Sequence, residues 1–344
     1  MNKFFKRKLL SAMPFRLSKT ETEMLNDMQI KDILSEPDTH KKNNTGSNPY
    51  RVILDGFMGK VVRLMTIFSL LLLVFIIIGL VYKSLPVLGA NSLKDLLFSS
   101  QWSPFKGEFG FLPFILSTVY VTVIAAVISI PLSILTAIYL SEYANKRFLK
   151  VAAPMLDILA GIPSVIYGIW GVLIIVPFIR NDVAGWFGVE DSSGYSLLAG
   201  GIVLSVMVFP VVVQIVYEVL KIVPVTLREA TLSLGATKWE TIKKVVIKKA
   251  SPGILAACIL GFSRAFGETI AVLMVVGNVV QVPKGIFDEG YPIPSLIANN
   301  YGEMMSIPMY DSALMFAALI LLLIILVFNI YARWVLNRME KKIA

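Results

Sequence analysis

The chain has 344 residues, 56% of them hydrophobic and only 16% charged, with a mean hydropathy of +0.74. No soluble core of this length buries so much apolar side chain, so the composition excludes an ordinary soluble domain and predicts an all-α polytopic membrane protein. One cysteine (Cys258) and one histidine (His40) exclude a disulfide framework and a His/Cys metal site, and the net charge of +9 has to be read from where it lies.

Residues 1–60 are polar and of mixed charge, ending in the turn-rich "HKKNNTGSNPY". Their basic start lacks the apolar run and small-residue cleavage site of a signal peptide. They are expected to form a cytoplasmic tail, largely disordered, with a helix lying on the membrane surface as the alternative. Ser18 and Glu21 have capping-box spacing for a short helix within it.

Six apolar spans follow, near 62–82, 111–140, 152–179, 197–217, 252–277 and 312–332. The first is almost wholly large aliphatic and suits lipid. The later ones carry Gly, Ser, Thr and Pro, which let helices approach closely and need neighbours to satisfy freed carbonyls. The predicted organisation is a tail (1–60), one peripheral helix with an extracytoplasmic loop (61–110), a five-helix core (111–335) and a short C-terminal tail (336–344). Of the 32 Lys and Arg, 26 fall on the side of the termini and five on the other, with Arg264 inside a span. By the positive-inside rule both termini are expected in the cytoplasm, and the basicity is topology rather than a nucleic-acid patch.

Within the second span, Thr118 and Thr122 share a face; each either back-bonds to a helix carbonyl or meets a passing solute. Asp157 falls about one turn inside the third span, as an interfacial carboxylate or a pathway group. Ser164, beside Pro163 in "GIPS", marks either a helix break or the path.

The loop "KIVPVTLREATLSLGATKWETIKKVVIKKASPG", residues 221–253, has the strongest local signals. Pro224 opens a helix that Gly235 stops, and Thr237 with Glu240 opens a second by a capping box. Leu227, Leu232, Leu234, Trp239, Ile242 and Val246 give this helix–turn–helix an apolar face that calls for a partner surface or for lipid headgroups.

In the fifth span, Ala257, Gly261 and Ala265 form a small-residue packing seam. Arg264 and Glu268 lie off that seam with i,i+4 spacing and are expected to point into the bundle. Each charge costs about 2.5–3.5 kcal/mol at the centre of a lone bilayer helix on insertion scales. They serve either as an internal ion pair or as the border of a translocation path. The aromatic and proline-rich 278–311 is either plain connection or a contact for an extracytoplasmic protein.

"EATLSLG" resembles the cytoplasmic EAA loop of ABC importer permeases. That loop begins Glu-Ala-Ala, has glycine four residues after the second alanine and ends in an Ile-x-Leu-Pro-like element. Glu229, Ala230 and Gly235 match; Thr231 replaces the second alanine and Lys248 the proline. With "AIYLSEYA", "GIPSVIYGIWG" and "SRAFGETIAVLMVVGN", residues 60–340 resemble the permease of phosphate-specific ABC importers, the last motif being similar to its C-type subunit.

The resemblance implies a coupling helix at about 226–241, within an EAA loop at 221–250, docking on ATPase subunits through Leu227, Glu229, Ala230, Leu234, Gly235, Ala236, Thr237 and Trp239. It further implies a homologous A-type permease partner, an extracytoplasmic phosphate-binding protein, and phosphate passage past Arg264 and Glu268. No G-x-x-x-x-G-K-[ST] phosphate loop occurs in the chain, so no cofactor is expected on it; ATP and Mg²⁺ belong to the ATPase. A permease for another oxyanion or solute is the nearest alternative. An ion-coupled carrier using Arg264 and Glu268 as a relay, or a membrane scaffold, are the more distant ones.

Overall fold

The computed structural model describes residues 49–189, 192–303, 307 and 309–343. The Ser18–Glu21 capping box and most of the expected tail lie outside them. Among the described residues, six helices are long and apolar enough to cross a membrane, accompanied by short segments and one two-stranded ribbon.

Helix α1 (Pro49–Ala90) begins well before residue 61, so the last part of the expected tail is helical. Pro49 suits a helix start, and nothing between it and Pro86 breaks the helix. The second of the two compact units of the chain begins at Leu72. From there α1 keeps Val74, Phe75 and Ile78 exposed, and only near its end do Ser84 and Val87 become buried.

Val87 joins a buried cluster rich in aromatic side chains. Helix α2 (Leu93–Phe98) leads into strands β1 (Trp102–Ser103) and β2 (Glu108–Phe109), paired antiparallel with Trp102 opposite Phe109. The turn between them needs Gly107 at φ +73°. Trp102 packs edge-on against Phe109, Phe111 and Phe114, with ring centroids 4.8–5.5 Å apart.

Helix α3 (Leu112–Ile138) is the second span and ends in a π turn, Tyr139–Tyr143. The expected third span, 152–179, is in fact two elements. Helix α4 (Lys146–Gly161) is capped by Asn145, whose side chain accepts from the Phe148 amide at 2.7 Å. The backbone then extends at Ile162 and Pro163 before α5 starts at Ser164. Pro163 disfavours helix at the preceding residue and has no amide to donate, so the chain breaks there although its hydropathy does not fall. Through two π turns, α5 runs as the third span, Ser164–Trp186.

Helix α6 (Leu197–Ile222) is the centre of the core, with Leu204, Val208, Val212, Val216 and Leu220 buried against α3 and its other neighbours. Two short segments follow, α7 (Val225–Ser233) and α8 (Lys238–Thr241). The second does not stand apart. It continues through a π turn (Ile242–Val246) into α9 (Ile247–Gly267), so the fifth span begins at Lys238.

That span also ends ten residues earlier than its hydropathy suggests. Glu268 leaves the helix in extended conformation (φ −71°, ψ 128°), and a separate turn, α10 (Ile270–Val275), follows. Gly267 holds a helix weakly, and the Thr269 hydroxyl donates to the Gly267 carbonyl at 3.2 Å, competing with helix propagation. After α11 (Ile293–Asn300), α12 (Tyr310–Ile343) closes the core as the sixth span.

Candidate functional site

The loop between α6 and α9 is built as its sequence requires. α7 ends at Ser233 with Leu234 as its C-cap, and Gly235 reverses the chain at φ +87°. The Thr237 hydroxyl accepts from the Glu240 amide at 3.3 Å, and the Glu240 carboxylate accepts from the Thr237 amide at 3.1 Å. Both halves of the capping box are therefore present.

The apolar face divides in two. Ile242 and Val246 are 1% and 0% exposed and belong to the protein's own core, packed with Leu220 and Val223. They need no partner. Leu227, Leu232, Trp239 and above all Leu234, at 89% exposure, form an outward crest. Glu229 and Ala230 are exposed beside it, and Ala236 is half-buried in the turn. An unpaired apolar crest on a turn fixed by a glycine and a capping box is suited to docking, because little loop entropy is left to lose on binding.

Two residues that sequence reasoning passed over hold this loop in place. Arg228 donates to Glu142 on the π turn at the end of α3, at 2.8 Å, and also to the Leu220 and Val223 carbonyls. Both side chains are largely buried. The partners are 86 positions apart, so no local pattern announces them.

Inside the membrane region, Arg264 and Glu268 do not form the expected i,i+4 pair. The helix ends between them, and among the described residues no carboxylate lies within ion-pair distance of Arg264. Nor does Arg264 point into the bundle: on the single chain it is exposed, while Glu268 is half-buried. The seam beside them is as expected. Ala257 and Ala265 are 1% and 4% exposed, and Gly261 lies so close to Val212 that a methyl group would meet its side chain at 2.4 Å.

Ser164 stands half-buried at the start of α5, just past the Pro163 break. A few residues on, Gly168 brings α5 against Ala271 and Met274 of α10. The two interruptions, at 162–163 and at 268–269, thus belong to neighbouring elements.

Thr118 and Thr122 are not free to meet a solute. They are 3% and 2% exposed and donate to the Phe114 and Thr118 carbonyls, each at 2.7 Å. The Thr118 oxygen also accepts from the Ile293 amide at 2.9 Å, and Ser117 likewise holds the Tyr291 amide at 3.1 Å. These hydroxyls fasten the segment after α10 to the second span. Asp157 lies on α4, outside the third span, and accepts from Gln214 at 2.7 Å.

The described residues 278–303 fold back on the bundle. Their Ile286 and Asp288 carbonyls accept the Leu198 and Leu197 amides at the start of α6. Asn299 and Asn300 donate to the Tyr291 phenol at 3.0 and 2.8 Å. Burial pushes that phenol above its ordinary 10.0, against the lowering effect of the two amides.

Residues 129–341 match the family model of the binding-protein-dependent transport system inner membrane component. Among curated proteins, the chain is 36% identical over 300 residues to the probable phosphate transport system permease protein PstC of Methanocaldococcus jannaschii, covering 83% of this chain and 95% of that one. It is 33% identical over 303 residues to the phosphate transport system permease protein PstC of Pasteurella multocida, covering 84% and 94%. Among solved structures, a bacterial ABC transporter involved in import of the acidic polysaccharide alginate superposes with a TM-score of 0.52 at 16% identity, over 84% of this chain and 99% of that one. The last likeness is one of fold.

Proposed function

The chain belongs to the family of inner membrane components of binding-protein-dependent transport systems, and from that premise we propose that it is the permease subunit through which an ABC importer carries inorganic phosphate into the cell. The observation that carries the importer reading is the exposed crest of Leu227, Leu234 and Trp239 on a braced turn. It is the surface on which an ATPase subunit would push. The phosphate reading is supported by two relatives named as phosphate permeases along nearly their whole length.

In this reading the chain binds no nucleotide; ATP and Mg²⁺ act on the partner ATPase, and an extracytoplasmic binding protein delivers the anion. Both termini lie in the cytoplasm, on the side where Lys and Arg accumulate. ATP binding moves the loop, and the pathway alternates between outward and inward access.

A second, A-type permease subunit covers the face that carries Arg264. Its exposure on the single chain supports this placement, as does the exposed apolar ridge of Val165, Ile169 and Leu173 on α5. A charge left facing lipid would be costly, whereas one facing a path between two subunits is not. The Arg264 guanidinium offers a planar fork to phosphate oxygens. Glu268, released from the helix and from any pairing with Arg264, accepts the hydroxyl of HPO₄²⁻ or H₂PO₄⁻, which sulfate lacks at neutral pH. Ser164 stands at the adjoining break.

The test is assembly and uptake. The chain is purified with its partners, and Gly235→Pro and Glu229→Lys are expected to release the ATPase subunits, since proline cannot adopt φ +87°. A wild-type chain that holds no ATPase sinks the importer reading. Vesicles that take up sulfate or another oxyanion in preference to phosphate sink the substrate.

A further inference from the structure

The Glu142–Arg228 pair ties the loop to a span it does not follow in sequence. Glu142 is carried by the π turn Tyr139–Tyr143, where α3 ends. A π turn inserts a residue into the helical repeat and re-aims the side chains after it, and such turns recur at functional sites. Arg228, on α7, reaches Glu142 at 2.8 Å and the Leu220 carbonyl at 2.9 Å, and its other terminal nitrogen donates to the Val223 carbonyl. One guanidinium therefore joins α7 both to the end of α3 and to the end of α6. The neighbouring π-turn residue holds the other half of the loop: the Lys238 ammonium lies 4.5 Å from the Tyr143 ring centroid.

Stability is a weak reason for such a pair. Its side chains are only 17% and 9% accessible, and desolvating two charges offsets most of what their attraction gains. A pair of this kind is stiff and directional instead, because a multiply bonded guanidinium fixes distance and angle together. α3 is also the helix that packs most extensively on the central α6. A push on α7 is thus delivered to both walls of the core at one point.

We propose that Glu142 and Arg228 are positioning residues that convert displacement of the coupling loop into movement of α3 relative to α6. The Tyr143–Lys238 contact keeps the second short helix in step. The role rests on the importer reading, and removing the pair would uncouple the machine rather than dissolve it.

The experiment uses the complete complex of both permease subunits, ATPase subunits and binding protein in phospholipid vesicles. Phosphate imported per ATP hydrolysed is measured for wild type, Glu142→Gln, Arg228→Gln and the double variant. The ATPase subunits stay bound and hydrolysis continues, while the ratio falls about tenfold in each single variant and no further in the double. An unchanged ratio in Glu142→Gln overturns the proposal, as does a double variant whose loss is the product of the two singles. Release of the ATPase subunits by Glu142→Gln also overturns it, because the pair would then only shape the docking surface. If Glu142→Gln does not assemble, Tyr143→Leu removes the parallel tie without stranding a buried charge, and an unchanged ratio there overturns the proposal equally. A wild-type complex without bound ATPase is a different result, since it removes the importer reading itself.

Discussion

Glu268 terminates the helix that carries Arg264. Its amide reaches only the Ala265 carbonyl, at 3.4 Å, and its backbone turns extended, so two charges four residues apart share no helix face. Each is left available to something other than its neighbour. Neither substitution breaks an ion pair, so Arg264→Lys and Glu268→Gln should each shift folding stability by no more than about 0.5 kcal/mol. Their stability effects should also add to within about 0.5 kcal/mol. Transport should respond quite differently. Arg264→Lys keeps the charge but loses the planar fork, and phosphate uptake is expected to fall about tenfold or more. Glu268→Gln should weaken the preference for phosphate over sulfate. Melting of the purified complex, read beside vesicle uptake of both anions, checks all four. Uptake and sulfate exclusion that survive both changes would remove these residues from the path.

Gly261 and Gly267 lie on one helix but differ in what surrounds them. A methyl group at 261 would meet the Val212 Cγ2 at 2.4 Å and the Val208 Cγ1 at 3.2 Å, whereas one at 267 would meet nothing within 4 Å. Both valines are β-branched and buried, so they give way poorly. Gly261→Ala is expected to destabilise by about 1–3 kcal/mol through overpacking. Gly267→Ala should be neutral in packing, and it should favour helix by up to about 1 kcal/mol just where the chain needs to break. The two should therefore separate cleanly. Gly261→Ala lowers the melting temperature of the complex, and Gly267→Ala leaves it in place while reducing uptake. A common melting shift for both would mean that the seam is not what holds α9 against α6.

What the sequence disclosed divides along the range of the interactions involved. The coupling loop was legible because a left-handed glycine and a Thr-x-x-Glu box act over three or four residues. The six spans were legible because hydropathy is additive along the chain. The break at Pro163 was legible only as one of two readings of the proline, and the break at Glu268 was not, since apolar residues continue across both and hydropathy alone cannot register a lost helical turn. The expected facing of Arg264 failed for another reason, as it assumed a complete bundle in one chain. Thr118 looked like a candidate for solute contact because its partner, the Ile293 amide, is 175 positions away. Glu142 and Arg228 were invisible on the same grounds.

Thr118 gives a test of that correction. Its oxygen satisfies a buried amide that has no other partner among the described residues, so Thr118→Val should cost about 1–3 kcal/mol by leaving the Ile293 N–H unpaired. If the residue fastens the segment and does not touch substrate, the melting temperature falls while the concentration dependence of phosphate uptake at permissive temperature is unchanged. A raised KM without a stability loss would return Thr118 to the pathway.

Leu234 is the most exposed apolar residue of the crest, at 89%, and it immediately precedes the Gly235 turn. Among the described residues nothing covers it. If an ATPase groove buries it, Leu234→Ala should weaken association by much of the roughly 1.5–3 kcal/mol that a buried leucine contributes, and Leu234→Met should cost little. Gly235→Ala acts through the backbone instead: an L-residue at φ +87° is strained by about 1 kcal/mol or more, so the crest is presented less well although no contact is deleted. The predicted order of ATPase affinity is wild type and Leu234→Met first, Gly235→Ala next, and Leu234→Ala last. Titration of ATPase subunits onto the chain in detergent measures it. Equal binding by Leu234→Ala and wild type would show that Leu234 rests on lipid headgroups, and the docking face would then have to be sought among the exposed residues Glu229 and Trp239.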